Sequence, residues 1–385
     1  MNGSSRVLVL GGGVGGLVAA VELRKKLPEQ HRIVLVDREE QHLFAPSLLW
    51  LMTGLRTANN ISRPLDLLKR KGIEVIHGEI ERIDPESRQA IVDGTTYGGD
   101  YLVISLGAEL APETIPGLPE AGYNLYSLSG AEALREAFRD FRSGRLVVLT
   151  AAPAYKCPAA PYEAAMLLEY DCRKRKVRDA VQIDLYAAEP GPMGVAGPKV
   201  SAGVRQLVEQ KGIGYHPEHQ VTKVDAEQRR MDFANGASAE FDLLVYVPPH
   251  RAPRVVRDAG LIGESGWIPV DRHTLETQFD RVYAIGDVTG IPLKLGKPLP
   301  KAGVFAHRQA EVVARNIVRA ITGKGRPAAF GGYGECFIET GGGRAGFGRG
   351  NFYAEPVPEV RFHKVGRRWH WGKILFEKKW LRHWF

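Results

Sequence analysis

A glycine-rich loop near the start of the sequence limits the fold more than any other feature. The loop follows the apolar segment Arg6–Leu10 and has the spacing G-x-G-x-x-G at Gly11, Gly13 and Gly16. At these positions Gly11 permits a tight turn, Gly13 lets the backbone approach a pyrophosphate group, and Gly16 lets a helix pack closely on a strand. The spacing by itself is common, so its meaning depends on the elements that surround it.

The flanking sequence supplies that context. A helix is predicted over residues 17–27 and a second apolar strand over residues 32–36, directly followed by Asp37. The N-terminus of such a helix offers unpaired N–H groups and a positive dipole end to phosphates, and the acid accepts hydrogen bonds from a ribose. The order strand, glycine loop, helix, strand and acid therefore predicts a dinucleotide-binding α/β domain.

Two later segments resemble parts of the flavin site in flavoproteins that have two dinucleotide-binding domains. Residues 281–287 read Arg-Val-Tyr-Ala-Ile-Gly-Asp. They resemble the second flavin fingerprint, whose aspartate, here Asp287, approaches the ribityl and pyrophosphate groups of FAD. Residues 100–107, which end in Gly107, resemble the strand that returns to the FAD domain. The resemblance covers nearly the whole chain and implies FAD as the cofactor.

A further predicted helix, which ends near residue 321, begins just after Lys301. In the same flavoproteins the N-terminus of this helix points at the flavin ring. The resemblance implies that Lys301 and the helix dipole stabilise negative charge on a reduced flavin. It also implies that the backbone at Gly303 and Val304 contacts the cofactor.

The loop in which a second dinucleotide would bind contains no glycine. It spans residues 151–158, between an apolar strand at residues 145–150 and another at residues 181–187, which is followed by Glu189. Three prolines, at positions 153, 158 and 161, fix φ and remove N–H donors. We therefore expect the fold of a second nucleotide domain without its nicotinamide site, which argues against NAD(P)H as the reductant.

Two of the three cysteines occupy positions that a redox site could use. Cys157 lies in the glycine-free loop, just before a helix predicted over residues 161–174, and Cys336 lies near the C-terminus. Three cysteines are too few for a disulfide scaffold, so a disulfide here would have a redox role. The helix N-terminus and Lys156 predict a thiolate at Cys157. Glu163 is either a proton acceptor at the same site or a surface acid that complements the helix dipole.

With these residues the sequence resembles the sulfide:quinone oxidoreductase and flavocytochrome c sulfide dehydrogenase family. In that family one redox cysteine follows the central strand and the other comes from near the C-terminus. The resemblance implies that Cys157 and Cys336 form a redox disulfide beside the flavin, that sulfide attacks this disulfide, and that FAD passes the electrons to membrane quinone. Which cysteine carries the persulfide stays open. Cys172 matches neither position and is interpreted as structural.

Three alternatives share parts of this interpretation. A flavocytochrome c type sulfide dehydrogenase keeps the chemistry but uses a cytochrome acceptor. A type II NADH:quinone oxidoreductase shares the fold, although the glycine-free loop argues against it. A non-catalytic flavin redox sensor would keep FAD and the cysteines without turnover.

The C-terminal segment carries most of the excess positive charge. The net charge is +8, and residues 364–385 contain seven Lys or Arg, one acid and four of the six tryptophans. On a helix one side would carry Ile374, Trp380, Leu381, Trp384 and Phe385. Tryptophans beside lysines are typical of an interfacial anchor, so we expect this tail to attach the protein to a membrane surface. The alternative is a helix docked on the protein's own core or on a second subunit.

The predicted fold is α/β, with two Rossmann-like, glutathione-reductase-like dinucleotide-binding domains and a small C-terminal region with an amphipathic tail. The FAD domain is assigned to residues 1–110 and 265–325, the second domain to 111–264, and the C-terminal region to 326–385. No signal peptide and no apolar run of about 18 residues is seen, so a peripheral, monotopic membrane protein on the cytoplasmic side is expected. Expected partners are sulfide, membrane quinone and a membrane surface, with a homo-oligomer as an option; neither nucleic acid nor a metal is expected.

Overall fold

The computed structural model describes residues 3–385. The strands in chain order are β1 (Arg6–Leu10), β2 (Arg32–Asp37), β3 (Gln41–Leu43), β4 (Ser62–Pro64), β5 (Glu74–His77), β6 (Ile80–Asp84), β7 (Gln89–Val92), β8 (Thr95–Gly98), β9 (Tyr101–Ile104), β10 (Glu109–Leu110), β11 (Tyr123–Asn124), β12 (Gly144–Thr150), β13 (Val181–Ala187), β14 (Gly214–His216), β15 (Val221–Asp225), β16 (Arg230–Phe233), β17 (Ser238–Glu240), β18 (Leu243–Val247), β19 (His250–Arg251), β20 (Ile268–Pro269), β21 (Val282–Ala284), β22 (Thr289–Gly290), β23 (Tyr333–Gly341), β24 (Arg344–Asn351) and β25 (Glu359–Gly366). The helices are α1 (Val14–Lys26), α2 (Leu48–Leu51), α3 (Ala58–Ile61), α4 (Leu118–Ala121), α5 (Leu128–Asp140), α6 (Ala160–Lys174), α7 (Pro198–Glu209), α8 (Arg254–Asp258), α9 (Gly303–Thr322) and α10 (Arg367–His383).

The first large sheet is parallel and has the strand order β21-β9-β1-β2-β5. Its central strands are apolar and buried on both faces, as parallel strands covered by helices must be. Helices α1 and α9 pack against each other and share one hydrophobic core with this sheet. The edge strand β21 comes from far along the chain, so the sheet is completed only by residues that follow the second domain.

The second large sheet is also parallel, with the order β11-β18-β12-β13-β14. Helices α6 and α7 pack against its strands and against each other. The prediction of two Rossmann-like sheets is therefore confirmed. In each sheet a loop and a helix N-terminus follow the carboxyl end of a central strand, the position at which such folds bind ligands.

A third, antiparallel sheet has the order β23-β24-β25. Strand β23 packs against α6, the helix that follows the loop of Cys157, and β23 carries Cys336. Helix α10 packs on β23 and β24. The third sheet thus brings the C-terminal part of the chain to the carboxyl end of the second Rossmann-like sheet.

Helix α10 buries the residues that were expected to face a membrane. Trp380, Leu381 and Trp384 are at most 5% exposed and belong to the core that they share with the first sheet. The prediction that these side chains form the free apolar face is wrong, because the helix docks on the protein's own core. Among the described residues, no helix is both long and apolar enough to span a bilayer.

Candidate active site

The glycine loop between β1 and α1 is held by backbone contacts that leave no room for side chains. Gly11 has φ +99°, and its N–H donates to the Val36 carbonyl at 2.8 Å. A Cβ at Gly16 would overlap the Gly11 carbonyl oxygen, whereas a Cβ at Gly13 would meet no protein atom within 4 Å. Gly11 and Gly16 are therefore required by the fold, while the open space at Gly13 suits an external group such as a pyrophosphate.

This difference predicts separate outcomes for two alanine variants. We expect Gly16→Ala to destabilise the protein by about 1–3 kcal/mol or more, because the new methyl group has to displace backbone. Gly13→Ala should leave the free energy of unfolding of the cofactor-free protein almost unchanged and weaken flavin binding by at least about tenfold. Denaturant unfolding and flavin titration of the two variants measure both quantities. Equal flavin affinity in Gly13→Ala and the unaltered protein would contradict this assignment.

Asp37 and His42 fix the other side of this loop. The Asp37 carboxylate accepts hydrogen bonds from the N–H groups of Gly12 and Glu39. His42 Nδ1 donates to the Gly12 carbonyl at 2.9 Å, so its Nε2 is free to accept a hydrogen bond from Trp380 Nε1 at 3.0 Å. Burial lowers the pKa of His42 to about 4, so the ring is neutral at neutral pH. Helix α10 therefore supports the glycine loop through His42.

The segment around Asp287 has the properties of a flavin contact. Asp287 Oδ1 is buried and has no hydrogen-bond partner among residues 3–385, and burial raises the pKa of this carboxyl group. Lys301 Nζ donates to the carbonyls of Asp287, at 2.6 Å, and Thr289, at 3.1 Å. Burial lowers the pKa of Lys301 to about 8, so the ammonium group that braces this loop is still mostly charged at neutral pH. An unpartnered buried carboxylate oxygen fits a hydroxyl-bearing ligand such as a ribityl chain.

The remaining residues predicted to contact the cofactor lie near these two loops. Gly107 follows β9 with φ +67° and open space around its Cα. Gly303 begins α9, and a Cβ there would touch Val14, the first residue of α1, at 3.5 Å. The positive ends of α1 and α9 thus lie side by side, with Val304 packed against the shared core. These residues fit a dinucleotide whose phosphates and flavin ring carry negative charge.

Cys157 and Cys336 converge on one partly buried site. Both are free thiols and both pack against the core of the second Rossmann-like sheet. The two are close enough that charge on Cys157 helps to raise the pKa of Cys336, although burial is the main cause. Cys157 lies in the left-handed region with φ +50°, held there by its N–H, which donates to the Lys301 carbonyl at 2.7 Å. A strained, non-glycine backbone of this kind is common at functional sites.

The prediction of a Cys157 thiolate is wrong for the reduced site. Burial raises the pKa of Cys157 to about 12, helped by the nearby Glu163 carboxylate. Lys373 and the N–H of Ala160 at the start of α6 favour the thiolate, but they do not outweigh burial. The Cys336 thiol donates to the Phe337 carbonyl at 3.2 Å, which also requires its proton. Both cysteines are therefore protonated at neutral pH when they are reduced.

A buried ion pair joins α10 to this cysteine site. Lys373 Nζ and Glu163 Oε2 are 2.8 Å apart, with side chains 5% and 2% exposed. The same Glu163 oxygen accepts the N–H of Glu339 at 2.8 Å, and the Glu339 carboxylate pairs with His370 Nδ1 at 2.9 Å. Although burial alone lowers the pKa of Lys373, Glu163 and Glu339 raise it above its ordinary value. Glu163 is thus a buried partner of Lys373 rather than the surface acid that was the alternative.

The loop of the second Rossmann-like sheet is filled by its own side chains. Glu189, at the position of the ribose-binding acid, accepts hydrogen bonds from Tyr155 and Tyr162, the latter at 2.8 Å, and from Thr150 Oγ1 at 2.9 Å. Both tyrosines are buried, and burial raises the pKa of each well above its ordinary value. With its acid occupied and no glycine in the loop, this site is poorly suited to a second dinucleotide.

The sequence analysis missed Lys373 as part of the site. It counted this lysine among the exposed basic residues of the tail. A signal was present, because Lys373, Glu377, Trp380 and Trp384 have the spacing of one helix face, and two oppositely charged residues on a face with two tryptophans indicate buried partners. Glu377 is indeed buried and accepts from Arg56 and Ser47.

Comparison with known proteins gives a consistent result. The pyridine nucleotide-disulphide oxidoreductase family model matches residues 5–310. The chain is 30% identical to the sulfide-quinone reductase of Aquifex aeolicus (strain VF5), over 98% of this chain and 90% of that protein. It is 24% identical to the mitochondrial sulfide:quinone oxidoreductase of Mus musculus, over 94% of this chain and 81% of that protein. The type II NADH:quinone oxidoreductase of Staphylococcus aureus (strain NCTC 8325 / PS 47) is 21% identical, over 83% of each chain.

Solved structures agree with the sequence comparison. The X-ray structure of the sulfide:quinone oxidoreductase from Aquifex aeolicus aligns with a TM-score of 0.88 at 27% identity, covering 98% of this chain and 91% of that one. A NAD-dependent persulfide reductase from A. fulgidus aligns with a TM-score of 0.72 at 23% identity, covering 90% of this chain and 64% of that one, which shows the shared fold alone.

Proposed function

This chain belongs to the sulfide:quinone oxidoreductase family of the pyridine nucleotide-disulphide oxidoreductases, and we propose that it oxidises sulfide and passes the electrons through FAD to quinone. The observation that carries the proposal is the convergence of Cys157 and Cys336 on one partly buried site. The side-chain filling of the second nucleotide loop supports it further, because it leaves NADH without a binding site. The names of the similar proteins favour quinone over a cytochrome acceptor.

FAD would be held by the first Rossmann-like sheet. Gly11, Gly13 and the N-terminus of α1 would receive the pyrophosphate, Asp37 the ribose, and Asp287 the ribityl chain. Bound there, FAD would serve as the carrier that accepts two electrons from the cysteines and passes them to quinone.

The sulfur chemistry is assigned to a Cys157–Cys336 disulfide. The sulfur of hydrosulfide attacks one cysteine, a new S–S bond forms to give a persulfide, and the bond between the cysteines breaks. The other cysteine leaves with the electron pair and takes up a proton, since its environment strongly favours the thiol. A second sulfide or another small nucleophile then removes the outer sulfur, and two electrons leave the dithiol to restore the disulfide.

Lys373 has a defined part in this sequence. It is the cation that favours negative charge on both cysteines, and it is held in place by Glu163. Lys373 favours a thiolate that forms when the disulfide opens, but burial and Glu163 oppose it more strongly, so the thiolate takes up a proton. Glu163 keeps the lysine charged and oriented toward the sulfur atoms.

Anaerobic stopped-flow mixing tests the proposal. The oxidised holoprotein is mixed with sulfide and, separately, with NADH, and the visible absorbance of the flavin is followed. We expect rapid bleaching by sulfide and none by NADH, followed by reoxidation on adding a soluble ubiquinone analogue. Bleaching by NADH with no response to sulfide would make the protein a dehydrogenase of the same fold.

The raised pKa values also predict how the cysteine couple responds to pH. Reduction takes up two protons for two electrons as long as both thiols stay protonated, so the midpoint potential should fall by about 59 mV per pH unit. This slope should persist through pH 9, the ordinary thiol pKa, because the pKa of Cys157 is about 12 and that of Cys336 is also raised. Thiol trapping after equilibration in redox buffers measures the slope. A change to about 30 mV per unit below pH 9 would contradict it.

We propose that α10 attaches the protein to a membrane surface. The face that does so is the solvent-exposed one and not the face of Trp380 and Trp384. Trp371 is 61% exposed, Leu375 64% and Phe376 41%. Lys378 and Lys379 are exposed on the same helix. Exposed tryptophan and aliphatic side chains beside basic residues suit the interface of an anionic bilayer.

A triple variant tests this face. Replacing Trp371, Leu375 and Phe376 with serine should reduce binding to vesicles that contain phosphatidylglycerol by at least about tenfold, because it removes the apolar area that enters the interface. Val357, which is 58% exposed on a different segment, provides the matched control Val357→Ser. Co-sedimentation with the vesicles gives the bound fraction. Equal binding of the triple and control variants would exclude this face as the attachment site.

A further inference from the structure

The imidazole of His250 has one buried nitrogen without a partner. Its Nδ1 lies 2.8 Å from the Pro248 carbonyl oxygen. Because a carbonyl only accepts, Nδ1 carries the proton and Nε2 is left as an acceptor. Nε2 is buried and has no hydrogen-bond partner among residues 3–385. An unsatisfied buried acceptor is costly, so it indicates a ligand that donates a hydrogen bond.

The His250 ring is linked to the backbone of the redox cysteine through Tyr126. The His250 ring meets the Tyr126 ring edge-on, with centroids 5.6 Å apart, and the Tyr126 hydroxyl donates to the Cys157 carbonyl at 3.0 Å. Lys156, the neighbour of Cys157 in sequence, places its Nζ 5.9 Å from the centroid of the same Tyr126 ring. His250 and Lys156 therefore contact the one side chain that holds the Cys157 backbone.

Lys156 and His250 differ in charge, because the lysine is a cation and the histidine ring is neutral. Burial, followed by the positive charge of Lys156 and to a lesser degree that of Lys301, lowers the pKa of His250 to about 3, so the ring is a neutral acceptor at neutral pH. Lys156 is only partly buried and forms no salt bridge within residues 3–385, and the buried carboxyl group of Asp287 is near enough for the charge of Lys156 to lower its pKa against the effect of burial. A cation and a neutral hydrogen-bond acceptor beside the same tyrosine would suit a small anion that also carries a hydrogen.

We propose that Lys156 and His250 bind the incoming hydrosulfide ion and orient it toward Cys157. The proposal rests on the function proposed above and specifies its substrate site. The ammonium group of Lys156 attracts the negative sulfur from solvent, and the S–H bond of the ion donates to His250 Nε2. Binding forms and breaks no covalent bond, and the lone pairs of the sulfur stay free to attack the disulfide.

The test uses two variants of the full-length holoprotein. His250→Asn can keep the hydrogen bond to the Pro248 carbonyl but has no group that reaches the position of Nε2. Lys156→Met removes the charge and keeps the length of the side chain. Each is mixed anaerobically with sodium sulfide over a range of concentrations. From the rates of flavin reduction we obtain the half-saturating sulfide concentration and the limiting rate at saturation.

In each variant we expect the half-saturating sulfide concentration to rise about tenfold, as for loss of one hydrogen bond or ion contact to a charged ligand. The limiting rate should stay within about twofold, since the cysteines are intact. The bound FAD per protein should be unchanged. His219→Asn is the matched control, because His219 Nδ1 makes the same contact to the Pro217 carbonyl, at 2.7 Å, and its ring packs against Tyr186 and Phe233.

The outcomes separate the two proposals. Loss of FAD from His250→Asn, with unchanged sulfide dependence in the molecules that keep it, would assign Nε2 to the cofactor and overturn the substrate site. An unchanged half-saturating sulfide concentration in both variants would also overturn the substrate site. Failure of sulfide to reduce the unaltered protein would overturn the proposed function itself, and the substrate site with it.

Discussion

Replacing either Cys157 or Cys336 with serine should slow sulfide-dependent flavin reduction by at least about a thousandfold, the scale of loss when a covalent nucleophile is removed. Serine cannot form a disulfide, and Cys157 is the one cysteine among the described residues whose charge affects Cys336. Both variants should keep their FAD, because neither cysteine belongs to the glycine loop or to the Asp287 segment. Stopped-flow reduction and the flavin-to-protein ratio give the two measurements.

Cys172 supplies the matched control. It is a buried thiol in the last turn of α6, where its sulfur contacts Arg175 at 3.8 Å, whereas Cys157 precedes the first turn of this helix. Cys172→Ser should cost about 1 kcal/mol of stability and leave the rate of sulfide-dependent reduction unchanged. If both single variants at Cys157 and Cys336 still react with sulfide at rates near that of the unaltered protein, the disulfide mechanism is wrong.

Lys373→Met should be the most destabilising conservative change in α10. It leaves the Glu163 carboxylate buried without its cation, and breaking one side of a buried ion pair costs about 3–5 kcal/mol. Glu163→Gln should cost less, because Lys373 keeps Glu339 nearby. The double variant should recover part of the loss, since no charge is left unpaired between the two positions. Denaturant unfolding of the four proteins gives the coupling free energy directly.

The exposed pair Arg205–Glu209 is a suitable comparison for the double-mutant cycle at Lys373 and Glu163. Its partners are 2.7 Å apart on α7, but the side chains are 48% and 46% exposed. Removing this pair should change the stability by no more than about 1 kcal/mol. If Lys373→Met were equally mild, the ion pair would have to be accessible to water rather than buried.

Much of the fold could be predicted because local signals and tertiary structure agree. Strand β1 begins and ends where the apolar segment does, and β13 matches the predicted residues 181–187. Helix α6 begins one residue before the prediction, at a proline-rich N-terminus that fixes the first turn. In these segments periodicity, turn residues and helix caps indicate the same structure, so little depended on distant contacts.

The protonation of the site could not be predicted in the same way. The thiolate at Cys157 was inferred from two neighbours in sequence, Lys156 and the start of α6. The pKa depends instead on burial under β23 and on Glu163, whose own position is fixed by Lys373, 210 residues away. The energetic effect of burial exceeded the local electrostatics, and burial follows from the packing of the third sheet. The apolar side of α10 that was assigned to a membrane is likewise buried by distant residues, in the core of the first sheet.

The hydrogen bond between Trp380 and His42 joins residues 338 positions apart. The unit β1–α1–β2 can fold from residues 6–37, but the Gly12 carbonyl receives its complete support only when α10 has been synthesised and docked. During translation the glycine loop therefore leaves the ribosome early, but its hydrogen-bond support is completed only when α10 is present. We therefore expect tight flavin binding only in the finished chain, after α10 has docked and Trp380 has bonded to His42.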